Sequence, residues 1–152
     1  MSKKKSLFVT FEGIEGSGKS YQSKKLYNKI KAMGYSVIYS REPGGTKGAE
    51  IIRRLILSGT KNKFSKTTDA LLYLAARNEH IEKKLRPAIL KRKIVICDRY
   101  IDSTEAYQVC GDGVKKSLVN SIHKEILNNI KPDITFILKL KISKALKRIN
   151  KR

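Results

Sequence analysis

Gly13-Ile14-Glu15-Gly16-Ser17-Gly18-Lys19-Ser20 follows the spacing GxxxxGK[ST], and this is the chemistry of polyphosphate binding. Glycines allow a tight turn that aims backbone N–H groups at phosphate oxygens, the lysine ammonium reaches the outer phosphates, and the serine hydroxyl can ligate Mg²⁺. A helix opening near Ser20 would add the positive end of its dipole. Asp98 closes the apolar run Ile94-Val95-Ile96-Cys97 and is placed to hold Mg²⁺ opposite Ser20. Arg99 beside it presents a planar fork suited to a second phosphate. An arginine next to a metal-holding carboxylate implies an anionic acceptor. Transfer between two phosphorylated species asks for positioning and charge neutralisation, not for a covalent nucleophile. His80 and His123 are accordingly expected to be surface or helix residues rather than catalysts.

These groups need elements to position them. Leu7-Phe8-Val9-Thr10-Phe11 reads as a strand feeding the phosphate loop, and Leu26, Ile30 and Met33 recur at helical spacing up to the stop at Gly34. A strand is expected over Ser36–Ser40, an irregular loop over Arg41-Glu42-Pro43-Gly44-Gly45-Thr46, and a helix over Gly48–Leu57. A polar connection over Lys61–Lys66 leads to a long helix capped by Thr67 or Thr68 and kinked or divided at Pro87. The run ending at Cys97 suits a strand buried on both faces. Helices near Asp102–Gln108 and Ser117–Asn129, a strand over Ile134–Leu140 and a last helix from Ser143 complete the pattern. Alternating strands and helices at this spacing imply a parallel sheet, whose ligands sit beyond the carboxyl ends of the strands. The phosphate loop, Arg41-Glu42-Pro43 and Asp98-Arg99-Tyr100 would meet there.

A length of 152 residues suits one α/β domain, spanning 1–152. No stretch has the apolar length to span a bilayer, and the lysine-rich start runs into a strand instead of a cleavable segment, so a cytoplasmic location is expected. Cys97 and Cys110 make no disulfide framework. Lysine and arginine total 34 against 13 acids, a net charge of +21. The charge is spread in short clusters with no arginine-rich arm or aromatic-studded basic run, so nucleic acid is not the expected partner, although a positive field draws in small polyanions such as ATP.

The phosphate loop with Glu15, the segment Arg41–Thr46, Tyr73-Leu74-Ala75-Ala76-Arg77, and Asp98-Arg99-Tyr100-Ile101-Asp102-Ser103-Thr104-Glu105-Ala106-Tyr107-Gln108 together resemble thymidylate kinase in its bacterial form. The resemblance implies an α/β fold, a P-loop NTPase-like parallel sheet with helices on both faces. It implies transfer of the ATP γ-phosphoryl group to dTMP with Mg²⁺, by a homodimer. Carried over, Gly13 to Ser20 bind ATP, with Ser20 and Asp98 at the metal, while Lys19, Asp98 and Arg99 serve the transfer and Arg99 binds the dTMP phosphate. Arg53 contacts the acceptor region and Glu15 lies near the 3′-hydroxyl. Tyr73 stacks on thymine, Arg77 bonds the base, Thr104 and Gln108 touch it, Tyr107 lies against the sugar, and Glu42 and Pro43 line the pocket. Taken singly, the tyrosines could be core aromatics and the arginines solvated helix residues; the ordered set argues otherwise.

Two departures accompany the resemblance. Val109-Cys110-Gly111-Asp112-Gly113 stands where the family carries glycine and then an arginine-glycine pair. The segment Ala145–Arg152 resembles the start of the mobile lid that supplies a catalytic arginine, with Arg148 and Arg152 as candidates. The family's last strand and helix are expected to be missing, which would leave Ile134–Leu140 an uncovered apolar edge and a chain that binds dTMP better than it turns it over. Two rivals remain: a deoxynucleoside kinase, for which Glu42 would be the general base, and a non-catalytic nucleotide- or nucleic-acid-binding module.

Overall fold

A computed structural model describes residues 6–59 and 63–150. Four parallel strands form one sheet in the order β2-β3-β1-β4, where β1 is Leu7–Glu12, β2 Val37–Arg41, β3 Ile94–Asp98 and β4 Ile134–Ile137. The central pair explains the apolar runs: Val95, Ile96 and Cys97 are fully buried because β3 has a strand on either side and helices above and below. Each such aliphatic side chain contributes about 1.5–3 kcal/mol.

Alternation along the strands divides the core between two faces. Phe8, Val95 and Cys97 pack against Ile81, Leu85, Ala88 and Leu127, which belong to the helices that follow β2 and β3. Val9, Phe11 and Ile96 pack against Leu26, Tyr27 and Ile30 of α1, Lys19–Ala32. The expected helices on both faces are therefore present. A smaller cluster of Ala70, Leu74, Val114 and Val119 joins α3, Lys66–His80, to α6, Lys116–Leu127.

Several boundaries differ from expectation, each for a local reason. Helix α2, Lys47–Leu57, is capped by Thr46, whose hydroxyl accepts the Ala49 N–H. Helix α3 is capped by Ser65, ahead of Thr67 and Thr68, because the Ser65 hydroxyl accepts the Thr68 N–H at 3.2 Å. Pro87 does not divide the helix. Residues Ile81–Leu85 widen into a π-helical turn that leads without a break into α4, Arg86–Leu90, and the Arg86 N–H reaches back to the Ile81 carbonyl. The wider turn carries the chain past the N–H that proline lacks. Likewise α5, Ile101–Thr104, continues as a π-helical segment Glu105–Gly111, so Val109 and Cys110 are helical where a loop break was expected. Strand β4 stops three residues early: the Leu138 N–H bonds the Glu12 carbonyl, and the chain then turns into α7, Ile142–Ile149. In β4, Ile134, Phe136 and Ile137 are exposed, and among the described residues no strand lies beyond it.

The register places Phe11 and Arg41 on either side of Asp98. The carboxyl ends of β1, β2 and β3 thus finish level, on one rim of the sheet.

Candidate active site

The chain leaves β1 through Gly13 and re-enters regular structure at Lys19. Gly16 shows why glycine is needed: its φ is +76°, and a Cβ there would lie 2.8 Å from the Ala145 carbonyl oxygen, because α7 rests directly on the loop. Lys19 is buried, and its Nζ donates to the Ile14 carbonyl at 2.8 Å. Burial and the neighbouring Arg99 charge lower its pKa against the opposing pull of Asp98, Glu12 and Glu15, and its direct hydrogen-bond partner is a neutral carbonyl rather than a carboxylate. The Ser20 hydroxyl donates to Asp98 Oδ2, while Asp98 Oδ1 is buried without a hydrogen-bond partner. An orphaned carboxylate oxygen beside a serine hydroxyl is a pair of hard oxygen ligands for a cation. Among the described residues no cluster of three or more His, Cys, Asp or Glu forms a closed metal cage.

Arg99 follows in the left-handed region, φ 72°. Its guanidinium donates to the Ser103 hydroxyl at 3.1 Å and to the Gly13 carbonyl at 3.4 Å, and stacks on the Tyr107 ring 5.3 Å away. It faces a cavity of about 760 Å³. The wall of that one cavity includes every residue assigned above to dTMP: Glu15, Glu42, Pro43, Arg53, Tyr73, Arg77, Arg99, Thr104, Tyr107 and Gln108, together with Gly16, Gly18, Lys19, Ser20 and Asp98. Gly13, Ile14 and Ser17 belong to the loop but not to this wall. A second, more open hollow of about 1020 Å³ shares Ser20, Arg41 and Asp98 and carries Lys24, Lys47, Arg54 and Lys84, which makes the surroundings strongly positive for arriving polyphosphates. Arg148 reaches the loop from α7 and donates to the Gly16 carbonyl at 3.1 Å, outside the cavity wall. Arg152 lies outside the described residues.

Arg77 is the most constrained cation. Its Nε donates to Glu42 at 2.7 Å, one terminal nitrogen to the Thr104 hydroxyl at 2.9 Å and to His123 Nε2 at 2.7 Å, and the other to the Tyr100 carbonyl at 2.8 Å. Four of its five N–H groups are thereby fixed, leaving one for a ligand. Arg53 is held on the Pro43 carbonyl at 2.8 Å. Glu42 lines the cavity, but its carboxylate is already committed to Arg77 and to His80 Nδ1 at 2.9 Å. Burial opposes its charge, yet Arg77 and His80 outweigh burial and keep its pKa below the ordinary value. A carboxylate so stabilised is a poor general base, which removes the group that a deoxynucleoside kinase would need.

Both histidines lie on helices, as expected, and neither is a surface residue. His80 is on α3 but fully buried, bridging Glu42 and the Ser40 hydroxyl. Its spacing of three from Arg77 put both on one helix face, a signal the sequence carried. His123 must accept from Arg77, a donor only, and so is neutral with its proton on Nδ1. Burial and the Arg77 charge push its pKa down to about 4 from 6.5. The unfolded chain therefore binds a proton there that the folded chain refuses, and folding stability falls as pH drops from about 6.5 towards 4. Urea midpoints measured between pH 7 and pH 5 should fall more steeply for the wild type than for His123→Gln; equal slopes would contradict this origin.

Glu12, Ser103, His80 and His123 are the site residues that sequence reasoning missed. Glu12 carried the same signal that singled out Asp98, an acid closing an apolar strand.

The family model for thymidylate kinase matches residues 11–152. The chain belongs to the thymidylate kinase family. It is 43% identical over 145 residues to the thymidylate kinase of Caulobacter vibrioides, covering 95% of this chain and 70% of that protein. With the thymidylate kinase of Orientia tsutsugamushi it shares 46% identity over 145 residues, 95% of this chain and 65% of the relative. The crystal structure of thymidylate kinase from Ehrlichia chaffeensis superposes with a TM-score of 0.84 at 38% identity, covering 97% of this chain and 83% of that one. The sheet order and flanking helices described above are thus those of a thymidylate kinase, and this chain spans about two thirds of the length of its curated relatives.

Proposed function

We propose that the protein transfers the γ-phosphoryl group of ATP to dTMP, giving ADP and dTDP. The observation that carries this reading is the single cavity whose wall brings ten residues from five separate stretches of the sequence together with the phosphate-loop lysine. Lys19 and the backbone of Gly13 to Ser20 take the donor phosphates. Arg99 takes the acceptor phosphate, supported by Arg53 and close to Glu15. The Tyr73 ring and the remaining N–H of Arg77 hold the thymine, with Thr104 and Gln108 beside it. Tyr107 lies along the sugar. Ser20 and Asp98 would hold Mg²⁺, and the orphaned Asp98 oxygen fits that assignment; when bound, the ion neutralises charge on the β- and γ-phosphate oxygens. The protein's own share is to bring two mutually repelling anions into line and to supply positive charge without reorganisation. Arg148, on α7, is proposed to add charge to the transferring group, as is Arg152, which lies outside the described residues.

A homodimer and a cytoplasmic location belong to the same reading, as does a single domain over 1–152, supported by the family relationship. No helix among the described residues is long and apolar enough to cross a membrane. The test is ADP release from Mg·ATP with dTMP, with thymidine or with neither. Release that depends on dTMP is expected. Equal stimulation by thymidine would indicate an uncharged acceptor, and salt-sensitive binding to random-sequence DNA without any dTMP effect would favour a binding module.

A further inference from the structure

Glu12, the last residue of β1, stands one position before the phosphate-loop pattern and does not line the cavity. It is nevertheless buried, and burial pushes its pKa up, an arrangement that an apolar residue would avoid. Both carboxylate oxygens are used on one short turn. Oε1 accepts the Tyr100 N–H at 2.7 Å, and Oε2 accepts the Ser103 hydroxyl at 2.6 Å. Ser103 Oγ in turn accepts from Arg99 at 3.1 Å. Because the hydroxyl proton is spent on Glu12, its lone pairs are left facing the guanidinium.

The backbone shows the same purpose. Arg99 sits at φ 72°, a conformation that residues with a Cβ avoid and that persists only where surroundings impose it. The Arg99 N–H is tied to the Phe11 carbonyl at 3.0 Å, and the next N–H, that of Tyr100, is tied to Glu12. Two consecutive residues at the end of β1 therefore hold the two consecutive N–H groups that define the turn.

We infer that Glu12 is a positioning residue that, through the Tyr100 N–H and the Ser103 hydroxyl, aims the Arg99 guanidinium at the phosphate of the acceptor nucleotide. This rests on the assignment of Arg99 to the acceptor phosphate. Glu12→Gln is the sharpest probe. With its oxygen towards the Tyr100 N–H, the amide NH₂ faces Ser103 and donates to it, so the serine loses the carboxylate that fixes its proton, and its lone pairs are no longer held on Arg99 although the shape is unchanged. Ser103→Ala removes the relay without touching the buried carboxylate. Calorimetric titration of each full-length variant with dTMP and with thymidine should show dTMP affinity reduced about tenfold and thymidine affinity within about twofold of wild type.

Equal losses for both ligands, or none, would overturn the positioning role. Should Glu12→Gln fail to fold, Ser103→Ala decides the matter by the same two titrations. A wild-type chain that binds dTMP no better than thymidine would overturn the acceptor assignment first, and this inference with it. A wild type that prefers dTMP, paired with variants that keep the preference, overturns the inference alone.

Discussion

Arg99→Ala is expected to lower dTMP affinity by about 10- to 100-fold while leaving thymidine binding nearly unchanged. The size follows from the worth of a charge-assisted hydrogen bond, about 1.5–3 kcal/mol. The selectivity follows from the geometry. Arg99 touches the Ser103 hydroxyl, the Gly13 carbonyl and the Tyr107 ring, none of them a carboxylate in direct contact, so its charge is open to an incoming phosphate. Arg77, by contrast, is paired with Glu42 and has one N–H left, enough to read a base edge but not to bind a dianion. Paired calorimetric titrations with dTMP and thymidine check this. Comparable losses for the two ligands would mean that Arg99 supports the nucleoside pocket and not the phosphate.

The second large effect is expected at Lys19. Lys19→Ala should reduce turnover by about 10²–10³-fold, the usual cost of removing one charge-stabilising donor from a transfer site, with dTMP affinity within about twofold of wild type. The ammonium rests on the Ile14 carbonyl at 2.8 Å in a buried position, with its pKa lowered by burial and by Arg99. Moving it onto the donor phosphates replaces a neutral acceptor by an anionic one, which favours the bound state. Alanine also relieves the folded chain of a desolvated charge, so thermal stability should be retained or raised. Steady-state ADP release, dTMP titration and a melting curve on the same sample distinguish loss of chemistry from loss of fold.

The parts of this molecule legible in the sequence are those where one physical demand dominates. Ile94–Cys97 had to be a doubly covered strand because nothing polar interrupts it, and the glycines around Lys19 had to be a loop because only glycine tolerates Gly16's φ and the approach of Ala145. What was not legible depends on competition between near-equal local choices or on distant partners. Ser65, Thr67 and Thr68 can each cap a helix, and the N–H that Ser65 captures decides among them. The π-helical turns over Ile81–Leu85 and Glu105–Gly111 leave no periodic trace, since one added residue shifts a helix face without changing its composition. Strand β4 ended early because its neighbour β1 ends at Glu12, whose carbonyl takes the Leu138 N–H. The sequence marked Glu12 as an acid closing a strand and His80 as sharing a helix face with Arg77, but partners of these side chains lie 88 and 38 positions away, separations that spacing within a single element cannot reveal.

The central claim is that one rim of the sheet holds two nucleotides at once, donor phosphates on Lys19 and acceptor phosphate on Arg99. A ligand joining adenosine to thymidine through a chain of five phosphates tests it most directly. The account predicts that it binds one per chain, that dTMP and ATP each displace it, and that Arg99→Ala and Lys19→Ala each weaken it. Displacement by only one of the two nucleotides, or by neither, would contradict the account.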